Sequence, residues 1–180
     1  MYRRMWILVE GKDDSRFANA ILRPILEGKY DHIDTWEYAQ QTSKKTAGFL
    51  KALASMQADY LFLADINSSP CVTAKKEVLA NKYQPGGRPL DIVVVIKEIE
   101  SWYVAGLSDE ACRELDIVPL SHTDDVTKEQ FREVMPKRFN DSVVDFMTEV
   151  LTSFDVDIAR DKNRSFCYMM DALERRSGEA

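Results

Sequence analysis

The sequence predicts an α/β fold, a largely parallel four-stranded sheet flanked by helices and followed by a helical C-terminal extension. Uninterrupted apolar runs recur at Met5 to Val9, Tyr60 to Ala64 and Ile92 to Ile96, as in strands buried on both faces. Helical patterns separate the strand signals, so strand and helix alternate four times. Beyond Ser101 no convincing strand follows, and helical segments fill the remainder.

The first strand, Met5 to Val9, stops at Glu10-Gly11 and leads into Lys12-Asp13-Asp14. A helix is expected from Asp13 to Glu27, with Phe17, Ile21, Ile25 and Leu26 on its apolar stripe, a kink or a split in two at Pro24 and a stop at Gly28. His32 to Tyr38 alternates and carries Ile33, Thr35, Trp36 and Tyr38, which suits a less buried strand. Thr42-Ser43 offers an N-cap to a helix with Ala47, Leu50, Leu53, Ala54 and Met56 on its core face. The third strand ends in Asp65, a loop follows over Ile66 to Pro70, and a helix is expected from Val72 to Lys82. Gln84-Pro85-Gly86-Gly87-Arg88-Pro89 is the strongest breaker in the chain, and Leu90 to Ile96 forms the fourth strand. The C-terminal helices are expected over Trp102 to Leu115, Lys128 to Met135, Val143 to Phe154 and Phe166 to Arg175, with Ile117 to Val126 a connector. A loose tail is expected at Ser177 to Ala180. Residues 1–106 then form the α/β core and 107–180 an extension packed on it, one compact domain of 180 residues.

Composition narrows the function classes. Apolar residues make up 45% and charged residues 30%, as in ordinary globular proteins. No membrane-length apolar run or signal pattern is present. Cys71, Cys112 and Cys167 fit neither a disulfide framework nor a zinc site, so a reducing cytoplasmic setting is expected. The net charge of −6 and the absence of a global basic footprint argue against tight binding of nucleic acid by surface charge alone.

The chemistry-bearing residues sit where the buried strands end. Glu10 with Asp13 and Asp14, then Asp65, then Glu98 and Glu100, all follow the C-terminal ends of strands. Open α/β sheets bind ligands along that edge. At any single position an acid at a strand end is ordinary solvation or helix capping. Three strands ending alike point instead to an oxygen-donor site for Mg²⁺ or Mn²⁺, whose charge would offset the mutual repulsion of the carboxylates. Gly11 is expected to let the backbone turn sharply and approach a phosphate or metal. Ser15, Ser68, Ser69 and the cysteines have no base partner, so a nucleophilic triad is unsupported. Lys12 follows Gly11 but lacks the upstream glycine of a phosphate-binding loop. Lys44-Lys45 and Lys75-Lys76 read as solvated helix faces.

The pattern Glu10-Gly11-x-x-Asp14 on a strand-turn-helix resembles the first motif of the Toprim domain, found in topoisomerases, primases, OLD-family nucleases and small ribosomal-RNA-maturing nucleases. Leu61-Phe62-Leu63-Ala64-Asp65-Ile66-Asn67 resembles the second motif, a strand ending in D-x-D, with Asn67 departing from it at the second acid. Its carbonyl can ligate but brings no charge, so weaker binding at one metal position is expected. Glu98-Ile99-Glu100-Ser101-Trp102 resembles a strand-to-helix stretch of small Toprim-like proteins related to OLD nucleases, in which a glutamate completes the metal shell. The stretch Asn163-Arg164-Ser165-Phe166 echoes one near the end of the same proteins. Packing alone accounts for Trp102, Tyr103 and the helix after Ser165. Ala159 to Phe166 reads as a polar, basic loop, with Ser165 the expected N-cap of that helix. In the functional alternative the loop folds back over the sheet edge and brings Lys162 and Arg164 to a scissile phosphate.

The resemblance implies a Toprim-like core and a divalent-metal-dependent nuclease acting on DNA or RNA. Glu10 would be general acid/base or ligand, and Asp14, Asp65, Asn67 and one of Glu98 or Glu100 would hold Mg²⁺ or Mn²⁺. Primase and topoisomerase activities are disfavoured, because no accompanying zinc or tyrosine region is recognisable. The main alternative is a catalytically weak or inactive module working beside a partner such as an ATPase. A small-molecule phosphate-ester hydrolase is a third reading, although no nucleophilic D-x-D-x-T pattern is present.

Overall fold

The computed structural model describes residues 2–83 and 90–178 of the chain. The breaker at 84–89 and the last two residues of the expected loose tail lie outside them. Four strands, β1 (Arg4–Val9), β2 (His32–Glu37), β3 (Asp59–Asp65) and β4 (Ile92–Val95), form one sheet in the order β2-β1-β3-β4. The sheet is parallel, with Val9 opposite Glu37 and Leu8 opposite Phe62. The α/β architecture with a parallel four-stranded sheet is therefore as the sequence predicts. The chain groups into two compact units, Met1–Val94 and Val95–Ala180. The segment 95–106, counted with the core in the sequence reading, falls in the second unit.

In the first unit the connection from β1 to β2 runs through α1 (Lys12–Phe17), a π-helical turn (Ala18–Leu22) and α2 (Arg23–Leu26). Pro24 has no N–H to donate, and the wider π turn precedes it where a regular helix would need that bond. Gly28 ends the segment with φ +83°, a conformation that favours glycine. The next helices, α3 (Ser43–Ser55) and α4 (Val72–Tyr83), connect strands in the opposite direction along the sheet. Right-handed crossovers then put them on the face opposite α1 and α2.

Alternation along the strands decides what each face buries. Leu8, Tyr60, Phe62, Ala64, Ile92 and Val94 join Leu50 and Leu53 of α3 and Leu79 and Tyr83 of α4 in one apolar cluster. The intervening Ile7, Val9, Leu61, Leu63 and Val93 are buried as well, as the apolar runs require. β2 is an edge strand and only partly covered, with Trp36 stacked on Phe49 of α3 at 4.0 Å between ring centroids.

The second unit is helical: α5 (Glu100–Ala105), α6 (Asp109–Leu115), α7 (Lys128–Glu133), a 3-10 turn (Lys137–Phe139), α8 (Val143–Thr152), α9 (Val156–Lys162) and α10 (Arg164–Gly178). Three expectations fail in this unit. The single helix expected over Trp102 to Leu115 is two, because the chain breaks at Gly106 and restarts at Ser108, whose hydroxyl accepts from the Ala111 N–H. The basic loop expected over Ala159 to Phe166 is the end of α9 and the start of α10, separated by Asn163 alone. The cap of α10 is Asn163, whose Oδ1 accepts from the Phe166 N–H at 3.0 Å, and not Ser165. Ser165 instead donates to that same Oδ1 and accepts from the Trp102 indole at 2.8 Å. Among the described residues no helix is long and apolar enough to cross a membrane.

Candidate functional site

The strand order creates a topological switch between β1 and β3. From β1 the chain leaves toward β2, then returns past β1 to β3, so the connections after these neighbouring strands diverge to opposite faces. The crevice outside their C-terminal ends is where open parallel sheets take ligands. Glu10 leaves β1 and Asp65 closes β3 at that place. The register Leu8 opposite Phe62 sets Glu10 level with Ala64 and one residue short of Asp65.

Glu10 is held from two sides. Register sets it level with Tyr38, the residue after β2, whose N–H donates to the Val9 carbonyl at 2.9 Å. The Tyr38 hydroxyl donates to Glu10 Oε1 at 3.0 Å. Lys75 Nζ approaches the same oxygen at 3.6 Å. The Tyr38 ring is buried in the apolar cluster, 4.2 Å from Phe62 between centroids. Burial first, and then the charge of Glu10, push its phenol well above the ordinary tyrosine range, so it stays a donor.

Lys75 corrects the sequence reading of a solvated face, since the residue is only 8% exposed. It shares a four-residue spacing with Leu79 and Tyr83, the buried stripe of α4. Because α4 begins just after the β3 loop, its first turn lies at the C-terminal edge of the sheet. The stripe thus carries an ammonium to that edge and apolar groups further along.

The other motif residues have local structural roles. Asp14 Oδ2 accepts from the Gly11 N–H at 3.2 Å, closing the first turn of α1 in the manner of a capping box. Gly11 itself is extended, at φ −151°, a conformation open to any residue, so the sharp turn expected of it is absent. Asp13 pairs with Arg16 at 2.7 Å. Asn67 sits in the left-handed region at φ 50° and folds its amide onto the Asp65 carbonyl at 3.3 Å. That conformation accounts for an asparagine there.

In the second unit, Glu98 accepts from the Lys128 backbone N–H at the start of α7, and buried Glu100 meets the Lys128 ammonium at 3.2 Å. Both glutamates thus engage Lys128, Glu98 at the helix N-terminus, where negative charge is favoured, and Glu100 at the side chain. Lys162 Nζ donates to the Leu107 carbonyl at 2.7 Å, and Arg164 pairs with Asp124. The two cations line a cleft of about 780 Å³ that also holds His122, Asp125, Glu133 and Asp161.

Among the described residues no three His, Cys, Asp or Glu side chains gather closely enough to form a metal-binding group. The donors at the β1/β3 edge nevertheless suit a hard divalent cation in kind, since Glu10 and Asp65 offer carboxylate oxygens. Sequence reasoning missed Tyr38, Lys75 and Lys128. The four-residue spacing from Lys75 to Leu79 and Tyr83 was the available signal for Lys75. The chain matches no protein-family model, no curated protein sequence and no solved structure.

Proposed function

We propose that this chain is a Toprim-like phosphodiester hydrolase, dependent on Mg²⁺ or Mn²⁺ and acting on DNA or RNA, with its chemistry centred on Glu10 and Asp65. The observation that supports this most is the arrival of two carboxylates at the ends of adjacent parallel strands that flank the switch point. Glu10 and Asp65 would hold the ion, with Asp14 close by in sequence and committed through one oxygen to Gly11. When bound, such an ion supplies an activated water and neutralises charge on the phosphodiester.

The chain's own groups prepare that edge. The Tyr38 hydroxyl fixes the orientation of the Glu10 carboxylate. Remaining protonated, it donates throughout the physiological range. Lys75 supplies a positive charge near a position suited to a phosphate oxygen. Glu10 keeps about a quarter of its side chain exposed, at 26%, so solvent reaches it. A carboxylate so placed can take a proton from an attacking water.

A second reading, a weakly active or inactive module working beside a partner protein, is favoured by the ion pair that already engages Glu10. A cleavage assay on single- and double-stranded DNA and RNA, with Mn²⁺ or Mg²⁺, separates the two. The hydrolase reading expects Glu10→Gln and Asp65→Asn each to lower the rate about 100-fold or more with the fold retained. Cleavage unaltered by either substitution would refute the site, and no cleavage of any substrate by the wild type would favour the module.

A further inference from the structure

We infer that Lys75 is the resident counter-cation of this edge, its ammonium holding the place beside Glu10 that a divalent ion must share or take. This rests on the reading of Glu10 and Asp65 as the ligand pair. Lysine is among the side chains least often buried without a charged partner. Here it sits on the core stripe of α4 with its Nζ 3.6 Å from Glu10 Oε1. Glu10 is the acid paired with it, and Tyr38 donates to the same oxygen. The three groups make a compact polar unit in which the carboxylate charge is met by the protein itself.

A divalent ion arriving at Glu10 meets an ammonium a few ångströms away, and their repulsion weakens its binding. Binding therefore requires Lys75 to swing off Glu10 or accept the cost of staying. The long lysine side chain permits the first, because its four methylenes rotate without moving the backbone of α4. Lys75 then sets the metal affinity of the site and, with the Tyr38 hydroxyl, keeps the Glu10 carboxylate oriented when no ion is present. It is a positioning residue, acting through Glu10.

Mn²⁺ binding to the full chain, measured by calorimetry, tests this in the wild type, Lys75→Met, Lys75→Arg and Glu10→Ala. Lys75→Met is expected to bind Mn²⁺ about tenfold tighter or more, Lys75→Arg to resemble the wild type, and Glu10→Ala to lose binding. A measurement on the wild type covers the case in which Lys75→Met fails to fold. Acetylation of Lys75 by an amine-reactive reagent, followed by mass spectrometry, is expected to quicken several-fold with saturating Mg²⁺, relative to Lys76. Binding that depends on Glu10 but is no tighter in Lys75→Met, or Lys75 labelling unmoved by bound metal, overturns the role of Lys75 and leaves the ligand pair standing. Absence of binding in every form, Lys75→Met included, overturns the ligand pair and this inference with it.

Discussion

Tyr38 shows how one hydroxyl joins the core to the candidate site. Its ring is part of the apolar cluster, and its oxygen reaches the sheet edge to hold Glu10. Burial and the neighbouring carboxylate both favour the neutral phenol, raising its pKa in the folded state above the ordinary value of about 10. Above that value an unfolded chain loses this proton while the folded chain retains it. Stability from Tyr38 is therefore complete below about pH 10 and declines as pH rises further, with a slope of about 1.4 kcal/mol per pH unit for one proton. Urea unfolding between neutral pH and pH 11 should show this decline in the wild type and less of it in Tyr38→Phe. Equal slopes in the two proteins would mean that Tyr38 ionises normally when folded. The sequence pointed to Glu10 and Asp65 because each follows an uninterrupted apolar run, a strong and local signal. It gave no comparable sign of the Tyr38 hydroxyl, which meets Glu10 through strand register, a pairing between residues far apart in the chain.

At the scale of elements, strands were legible and helix ends were not, for a physical reason. A strand buried on both faces must be apolar throughout, whereas a helix is marked by a stripe that continues across a short break. The expected helix over Trp102 to Leu115 has such a stripe on both sides of Gly106, and tertiary packing decides the break. A Cβ at Gly106 would lie 2.4 Å from a carbon of the Phe154 ring. The Gly106 carbonyl also accepts from the Asp155 N–H at 2.9 Å, which pins the two segments together. α9 was missed because Asp155, Asp157, Arg160, Asp161 and Lys162 make that stretch look like a polar loop. The Asp155 carboxylate is its cap, accepting from the N–H groups of Asp157 and Ile158. Gly106→Ala should cost about 1–3 kcal/mol by overpacking. Gly48, inside α3 with open space around a new Cβ, should gain up to about 1 kcal/mol on Gly48→Ala. Urea denaturation midpoints moving in opposite directions would bear out both, and a neutral Gly106→Ala would show that Phe154 yields.

For the whole molecule, the net charge of −6 takes on a different meaning once divided between the units. Residues 1–94 carry 13 Lys and Arg against 11 Asp and Glu, while residues 95–180 carry 11 against 19. The excess acid therefore belongs to the helical unit, and the unit that bears Glu10 and Asp65 is close to neutral. On the proposed reading, residues 1–94 offer a polyanion no strong net basic charge, and their own balance is not the acidity suggested by the pI near 5.0. Each phosphate neutralised by the protein adds about 0.7–0.9 to the slope of log affinity against log salt. A near-neutral unit should form few such contacts, so fluorescence anisotropy with labelled single strands and duplexes should give a slope no steeper than about 3 in chelator. If the edge holds the ion as proposed, Mn²⁺ should then tighten binding beyond its contribution to ionic strength, because the ion adds positive charge beside that of Lys75. A steep slope without metal would mean that the lysines and arginines of residues 1–94 gather into a basic surface. Affinity unmoved by Mn²⁺ at constant ionic strength would separate nucleic-acid binding from the carboxylate edge.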